Sequence, residues 1–137
     1  MLVLDTNVYI DVMDNRARAD ALASRLQDVE DEVAVSSVVV SELLIGLEER
    51  RRAADMMRLL VAASDALVTP NHEDWLVAGD ALRMLGGHAA TKRRSFSNDV
   101  LIAASCLRAG ATLVTSNAAD FRRIRKVIPV ETTRAWG

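Results

Sequence analysis

Four acidic residues stand where the sequence pattern predicts burial or the end of a strand. Asp5 ends the apolar run 2–4, Glu42 lies inside the apolar segment 38–47, and Asp99 is followed by the apolar run 100–104. Asp120 follows a polar segment at 115–117. An ionised carboxylate that leaves water loses solvation worth several kcal/mol unless a cation or a metal ion compensates it. These four carboxylates are therefore the first candidates for chemistry.

Carboxylates that are held close together raise one another's pKa, and a divalent cation relieves the repulsion. Asp5, Glu42 and Asp99 are expected to meet at one edge of a parallel sheet, where ligands bind outside the carboxyl ends of the strands. With Asn117 and Asp120 the set offers only oxygen ligands, which suit Mg²⁺ or Mn²⁺, whereas zinc favours nitrogen and sulfur. The residues as a set predict a site for a hard cation.

Each of these residues also has a simpler interpretation. Asp5, Asp99, Asn117 and Asp120 could each cap or stabilise the first turn of a helix. Glu42 could be exposed on a helix that is buried on its other side, or it could pair with an arginine. Read one at a time, the residues leave these alternatives open.

Short apolar segments alternate with helical patterns along the chain, which indicates an α/β fold with a parallel sheet. The last predicted strand tolerates Pro129 only at a sheet edge. The predicted strands are 2–5, 32–36, 67–70, 112–115 and 127–130. The helices predicted from apolar periodicity begin at residue 6 and cover 17–29, 37 to about 52, about 53–63, 71–85, 98–109 and 118–124.

Two of these helices carry more specific predictions. Ser37 is expected to cap the helix that runs to about Arg52. The helix at 71–85 is expected to bury one face, which consists of Trp75, Leu76, Gly79 and Leu82.

The segment 87–97 follows two glycines and is expected to be an irregular basic loop. The helix at 98–109 is apolar nearly all round and is expected to be buried. Cys106 lies in it and is interpreted as a small buried thiol. His72 and His88 lack the spacing of metal ligands and are interpreted as surface residues.

Length and composition predict a single folded domain over 1–137. Apolar residues make up 50% of the chain and charged residues 26%, as in ordinary globular proteins. No apolar run exceeds five residues, which is far below the roughly 18 that a membrane span needs. The start of the chain lacks the pattern of a secretory signal, so a cytoplasmic protein is expected.

The net charge of −2 hides an uneven distribution. Residues 1–90 carry 8 basic and 16 acidic side chains, whereas residues 91–126 carry 8 basic and 2 acidic ones. The basic clusters could be a solvated face or could contact phosphates, and their position beside candidate ligands favours phosphate contact. They consist of Lys92, Arg93 and Arg94 before Asp99, and of Arg122, Arg123, Arg125 and Lys126 after Asp120.

Four short motifs occur in order, and together they resemble those of the PIN-domain proteins. They are Leu-Asp-Thr-Asn at 4–7, Ser-Glu-Leu at 41–43 with Gly46, Asn-Asp at 98–99 with Ile-Ala-Ala at 102–104, and Thr-x-Asn-x-x-Asp-Phe at 115–121. More narrowly, the chain resembles the VapC-type ribonuclease toxins of prokaryotic toxin-antitoxin pairs. The resemblance extends from Val3 to about Val130.

The resemblance implies a PIN-like three-layer fold with a central, mainly parallel sheet of about five short strands flanked by helices. It implies a Mg²⁺- or Mn²⁺-dependent endoribonuclease in which Asp5, Glu42 and Asp99 match the three acidic metal-site positions. The fourth position falls in the segment 115–120. There Asn117 stands where many relatives have Asp, so either Asn117 contributes a neutral oxygen or Asp120 supplies the charge.

Other positions match supporting roles in the family. Thr6 and Thr115 match polar residues that orient the carboxylates, and Ser97 and Asn98 sit where they could do the same. A metal ion held by the carboxylates would activate a water for phosphodiester hydrolysis. The residues expected to contact RNA are Lys92, Arg93, Arg94, Arg122 and Arg123.

The resemblance also implies partners. A cognate antitoxin that covers the acidic pocket is expected, together with a homodimer and possibly a larger toxin-antitoxin assembly.

Two other functions remain open. The Asn117 departure favours a catalytically weak module that binds RNA or protein. A phosphotransferase or phosphatase is disfavoured, because the strand-end Asp-x-Asp pair of that chemistry reads Asp5-Thr6-Asn7 here.

Overall fold

The structure is a computed structural model that describes residues 1–46, 51–63 and 66–137, with residues 51–53 and 63 described by backbone alone. The described strands are β1 (Leu2–Leu4), β2 (Val33–Ser36), β3 (Leu67–Val68), β4 (Thr112–Thr115) and β5 (Glu131–Arg134). The described helices are α1 (Thr6–Asp14), α2 (Arg16–Gln27), α3 (Ser37–Ile45), α4 (Arg51–Ala63), α5 (His72–Met84), α6 (His88–Thr91), α7 (Arg94–Ala109) and α8 (Ala118–Ile124).

The five strands form one parallel sheet in the order β3-β2-β1-β4-β5. The chain moves from β1 through β2 to β3, and then returns to β4 and β5 on the other side of β1. Right-handed crossovers therefore place α1–α4 on one face of the sheet and α5–α8 on the other. The predicted three-layer α/β fold is confirmed. The chain leaves β1 towards one edge of the sheet and leaves β4 towards the other edge. This reversal opens a crevice at the carboxyl ends of the two strands.

Helix α7 is largely buried, as its apolar sequence predicts. Every residue from Asp99 to Cys106 is buried. Burial, together with the charges of Asp5 and Asp74, raises the pKa of the Cys106 thiol to about 12. Cys106 is therefore a neutral packing residue. Both predicted surface histidines are exposed.

The helix that was expected to run from residue 37 to about 52 is shorter. Ser36, and not Ser37, is the cap, because its hydroxyl accepts a hydrogen bond from the backbone N–H of Val39 at 3.5 Å. The helix ends at Ile45, and Gly46 follows as its C-cap. The stretch 47–50 of the predicted helix lies outside the described residues.

The predicted buried face of α5 is wrong. Trp75 and Leu76 are 61% and 60% exposed, while Ala78 and Ala81 are buried. The small alanines allow α5 to pack closely against α7, and Asp74 turns inward with them. Helix α5 therefore buries its face of small residues against α7 and leaves its face of large apolar residues exposed. Of the other two predicted residues, Gly79 is exposed and Leu82 is half-buried.

Asp74 joins three segments through one carboxylate. It accepts hydrogen bonds from the backbone N–H of Asn71 at 3.0 Å and from Nε of Arg108 at 2.8 Å. Asn71 accepts in return from the backbone N–H of Asp74 at 2.9 Å, which completes a capping box. Arg108 also donates to the carbonyl of Thr69 at 2.9 Å, so α5, α7 and the end of β3 are tied together.

We expect Asp74→Ala to lower the free energy of unfolding by about 2 kcal/mol, because it removes a helix cap and a partly buried ion pair. Chemical denaturation followed by circular dichroism measures the loss. Asp80→Ala is the matched control, since Asp80 pairs with Arg83 on the exposed side of the same helix. That change should cost less than about 0.5 kcal/mol. Equal losses in the two variants would contradict the assignment.

The predicted basic loop at 87–97 is also wrong, because it is mostly helical. Residues His88–Thr91 form α6, and α7 begins at Arg94. Phe96 is fully buried, so tertiary packing holds this first turn in the helix without a side-chain cap. Asp99 is consequently the sixth residue of α7, and the interpretation that it opens the helix is wrong.

The last strand begins later than the predicted 127–130. The backbone N–H groups of Val127 and Ile128 bond to the carbonyl of Ile124 at 3.0 and 2.8 Å, which extends the turn at the end of α8. Pro129 has no N–H to donate to a sheet. The strand therefore starts after it, at Glu131, and β5 forms the predicted edge of the sheet.

None of the helices in the described part of the chain has the length and apolar character that crossing a membrane requires.

Candidate active site

Asp5 stands at the carboxyl end of β1, in the crevice where the chain direction reverses. Its Oδ1 accepts from the backbone N–H of Thr6 at 2.8 Å, so the carboxylate caps α1 as one interpretation predicted. Its Oδ2 accepts from the hydroxyl of Thr115 at 2.7 Å, across the β1–β4 pair. The side chain is only 2% exposed. Burial raises the pKa of Asp5 and outweighs these hydrogen bonds, and the charge of Glu42 adds to the rise.

Glu42 reaches the same crevice from α3. Its Oε1 accepts from the hydroxyl of Thr6 at 2.7 Å. In the part of the chain that the structure describes, no arginine or lysine lies within ion-pairing distance of this carboxylate. Thr6 therefore positions two acids at once, Asp5 through its backbone N–H and Glu42 through its side chain.

Asp99 projects from the buried helix α7 and is 6% exposed. Burial is the largest cause that raises its pKa to about 8, followed by the charges of Asp5, Glu42 and Asp120. Arg93 offsets this only in part. Below pH 8 the folded protein therefore holds a proton on Asp99, because the negative charge lacks compensation.

Asn117 presents a donor to the acids. Its Nδ2 donates to Oδ2 of Asp99 at 3.3 Å and to Oδ2 of Asp120 at 3.0 Å. The amide nitrogen is the end that faces them, because the ionised carboxylate of Asp120 only accepts hydrogen bonds. Its Oδ1 instead caps α8 by accepting from the backbone N–H of Asp120 at 3.5 Å. The oxygen that a metal ion would need is turned towards the helix.

Asp120 already has a cation beside it. Nη2 of Arg93 lies 2.9 Å from both of its carboxylate oxygens. Burial acts to raise the pKa of Asp120, but the hydrogen bonds from Asn117 and Arg93 and the charges of Arg93 and Arg123 hold it below its ordinary value. Asp120 is therefore ionised and paired, whereas Asp99 lacks such a partner.

One cavity of about 330 Å³ joins these groups. Asn7 and Ser95 also line it, although the sequence predicts neither as a site residue. Ser95 precedes Asp99 by four residues and shares its helix face, but only a helix that begins at Arg94 reveals that spacing. The residues that line the cavity are Asp5, Thr6, Asn7, Glu42, Arg93, Ser95, Asp99, Asn117 and Asp120.

The predicted supporting residues fall in different places. Thr6 and Thr115 contact the carboxylates as expected. Asn98 does not line the acidic cavity. It lines a neighbouring depression beside Glu42, Arg94 and the apolar side chain of Ile45.

The donor set has the chemistry of a hard-cation site. Four carboxylates line one cavity, every candidate ligand atom is oxygen, and Asp99 lacks a compensating charge. Among the described residues, no group of three or more Asp, Glu, His or Cys converges closely enough to enclose a metal ion. Mg²⁺ usually keeps several water ligands and needs only one or two direct carboxylates, so this spacing suits a partly hydrated ion.

Comparison with known protein families identifies the family of this chain. The PIN domain family profile matches residues 2–127, which is most of the chain. The chain belongs to the PIN domain family. Ribonuclease VapC19 of Mycobacterium tuberculosis is 30% identical over 126 residues, covering 88% of this chain and 92% of that protein. The resemblance to the VapC-type PIN domains is confirmed.

Solved structures share the fold of this PIN domain. The structure of VapBC-1 from nontypeable Haemophilus influenzae matches with a TM-score of 0.72 and 24% identity, covering 98% of this chain and 97% of that one. DNA-bound VapBC from Salmonella typhimurium matches with a TM-score of 0.73 and 18% identity, covering 98% of each chain.

The basic residues of this PIN domain divide into two groups. Arg93 pairs with Asp120 in the cavity, and Arg123 donates to the carbonyl of Leu85 at 3.3 Å. Both guanidinium groups lie over the ring of Phe96, at 5.5 and 4.8 Å from its centroid. These two guanidinium groups therefore already have partners within the protein, although both residues are exposed. The predicted RNA-contacting residues that are exposed and have no such contact are Lys92, Arg94 and Arg122.

Proposed function

We propose that this PIN domain is a metal-dependent endoribonuclease that acts as the toxin of a toxin-antitoxin pair. One observation carries the proposal: four carboxylates line one crevice. The other three raise the pKa of Asp99, and Arg93 offsets their charge only in part. The relative named ribonuclease VapC19 supports RNA as the substrate. Since RNA is the substrate, we place the protein in the cytoplasm.

Asp5, Glu42 and Asp99 would hold a Mg²⁺ or Mn²⁺ ion. The bound ion would supply a water of lowered pKa and positive charge next to the scissile phosphate. Thr115 and Thr6 keep Asp5 and Glu42 oriented through their hydroxyl groups. These contacts are made in the metal-free protein, so Asp5 and Glu42 already face the cavity in which the ion would bind.

Asp120 and Asn117 have a different role in this proposal. The Arg93 pair neutralises Asp120, and Asn117 donates to both Asp120 and Asp99. They therefore limit the negative charge that an RNA phosphate meets in the cavity. Of the two residues that the sequence left open, Asp120 retains the charge and Asn117 supplies hydrogen bonds.

We also propose a cognate antitoxin and a homodimer as partners. The structural relatives named VapBC support the first. Large apolar side chains exposed on α5 support a protein interface on this helix. They are Trp75, Leu76, Val77 and Met84.

The test incubates the purified protein with random-sequence single-stranded RNA in Mg²⁺, in Mn²⁺ and in a chelator. We expect internal cleavage with either metal, no cleavage in the chelator, and inhibition by the antitoxin encoded beside the gene. Binding of RNA without cleavage would instead support a catalytically weak binding module. Release of phosphate from small esters without RNA cleavage would support a phosphatase.

A further inference from the structure

A second polar cavity, of about 250 Å³, lies between α8 and the carboxyl ends of β4 and β5. We name it the arginine cavity, because three arginines line it. The polar residues that line it are Thr115, Arg122, Arg125, Thr132, Thr133 and Arg134.

The helical repeat of α8 separates its basic residues. Arg122 and Arg125 are three positions apart and share one side, which faces the arginine cavity. Arg123 points elsewhere, towards the carbonyl of Leu85 and the ring of Phe96. The end of the edge strand β5 adds Arg134 from the opposite wall. Arginines from the α8 segment and from β5 therefore line the same cavity.

The charges in this cavity lack compensation. Within the described ranges, no carboxylate lies in ion-pairing distance of Arg122, Arg125 or Arg134. Arginines elsewhere, such as Arg93 and Arg108, have carboxylate partners. Three like charges around one cavity repel one another, and a bound phosphate relieves this through charge-assisted hydrogen bonds.

The neighbouring groups reinforce the positive charge. Nη2 of Arg25, which does not itself line the cavity, donates to the hydroxyl of Thr133 at 3.1 Å and so adds a positive charge behind the cavity wall. The carboxylate on β5, Glu131, stands at the beginning of the strand and accepts from the hydroxyl of Thr112 at 3.3 Å. The hydroxyls of Thr132 and Thr133 are further polar groups of the kind that contact phosphates.

Thr115 connects the two cavities. It lines the arginine cavity, and its hydroxyl donates to Asp5 in the acidic cavity. The two cavities are therefore neighbours, and we take a single strand of RNA that places one phosphate at the carboxylates to continue towards the arginines. The acidic cavity repels RNA, so this adjacent cationic cavity supplies attraction that the site itself lacks.

We propose that the arginine cavity binds a backbone phosphate of the RNA strand next to the phosphate that is cleaved. This inference rests on the proposed ribonuclease function. It assigns strand positioning to Arg122, Arg125 and Arg134, whereas Arg93 is paired with Asp120 and Arg123 is bound to the carbonyl of Leu85.

The test combines Arg122→Gln with Arg134→Gln and measures binding to labelled random-sequence single-stranded RNA in an Asp5→Asn background that cannot cleave. We expect affinity to fall at least about tenfold. The plot of log affinity against log salt has a negative slope. The magnitude of this slope should decrease by about 0.7 for each phosphate that the variant no longer neutralises. Arg16→Gln in the same background is the control, because Arg16 is exposed at the first position of α2, beyond the end of α1 that is remote from Asp5. It should leave both quantities unchanged.

Cleavage kinetics in the otherwise wild-type protein give an independent measurement. The double Gln variant should raise KM at unchanged kcat, and the matching double Lys variant should restore much of the affinity. If the wild type cleaves RNA and the Gln variant binds RNA as tightly as the Arg16 control, the arginine cavity is not a phosphate site although the nuclease proposal stands. If the wild type binds RNA through these arginines but never cleaves it, the cavity assignment stands and the ribonuclease proposal fails.

Discussion

Replacing Asp5 with asparagine is expected to lower the rate of RNA cleavage about a thousandfold. The carboxylate stands between Thr6 and Thr115 and contributes charge to the same cavity as Glu42 and Asp99. Asparagine keeps the size of the side chain and one oxygen that can accept a hydrogen bond. The fold should therefore survive while the negative charge is removed. Cleavage of single-stranded RNA in Mg²⁺, and titration calorimetry with Mg²⁺, measure the effect.

Asp20→Asn is the matched control for this variant. Asp20 is exposed on α2, so the change removes the same charge from the protein without touching the crevice. The control should cleave RNA at the wild-type rate. Cleavage by Asp5→Asn at the wild-type rate would show that Asp5 is not part of the reacting site.

Replacing Asp99 with asparagine should stabilise the metal-free protein at pH 8 by about 1 to 3 kcal/mol. The pKa of Asp99 is about 8 in the folded protein against an ordinary value of 3.8, so the folded state binds a proton that the unfolded state releases between these values. The stability of the wild type should therefore fall with rising pH across this window, at up to about 1.4 kcal/mol per pH unit for one proton. Asparagine does not titrate and removes this loss.

Chemical denaturation in a chelator at pH 5 and pH 8 tests the prediction. The variant should gain more over the wild type at pH 8 than at pH 5, while Asp20→Asn should follow the wild type at both. Mg²⁺ should stabilise the wild type more than the variant, because the ion binds the ionised carboxylate and only the native state presents the site. Parallel loss of stability in the variant and the wild type between pH 5 and pH 8 would show that Asp99 is already ionised in the metal-free fold. The same substitution should abolish cleavage. The carboxylate of Asp99 would then be required for activity although it lowers the free energy of unfolding of the metal-free protein.

The layered α/β architecture could be predicted because strand and helix periodicities alternate along the whole chain. The errors lie where long-range packing overrides local signals. Phe96 draws the first turn of α7 into the core, and Pro129 delays β5 by four residues relative to the predicted start. The exposed face of α5 was misassigned because apolar size alone cannot reveal that Ala78 and Ala81 permit close packing against α7.

The order of residue types along the chain was sufficient to predict which elements deliver Asp5, Glu42 and Asp99 to one crevice. This worked because the carboxyl ends of parallel strands meet at one edge, and a carboxylate within an apolar segment requires a partner. The directions of the side chains were decided only by the tertiary structure. It turns the amide nitrogen of Asn117 towards the acids and pairs Arg93 with Asp120. It also brings Arg134 from β5 to face Arg122 on α8. Such pairings join residues far apart in sequence, and they depend on helix rotation and strand register, which composition and spacing do not encode locally.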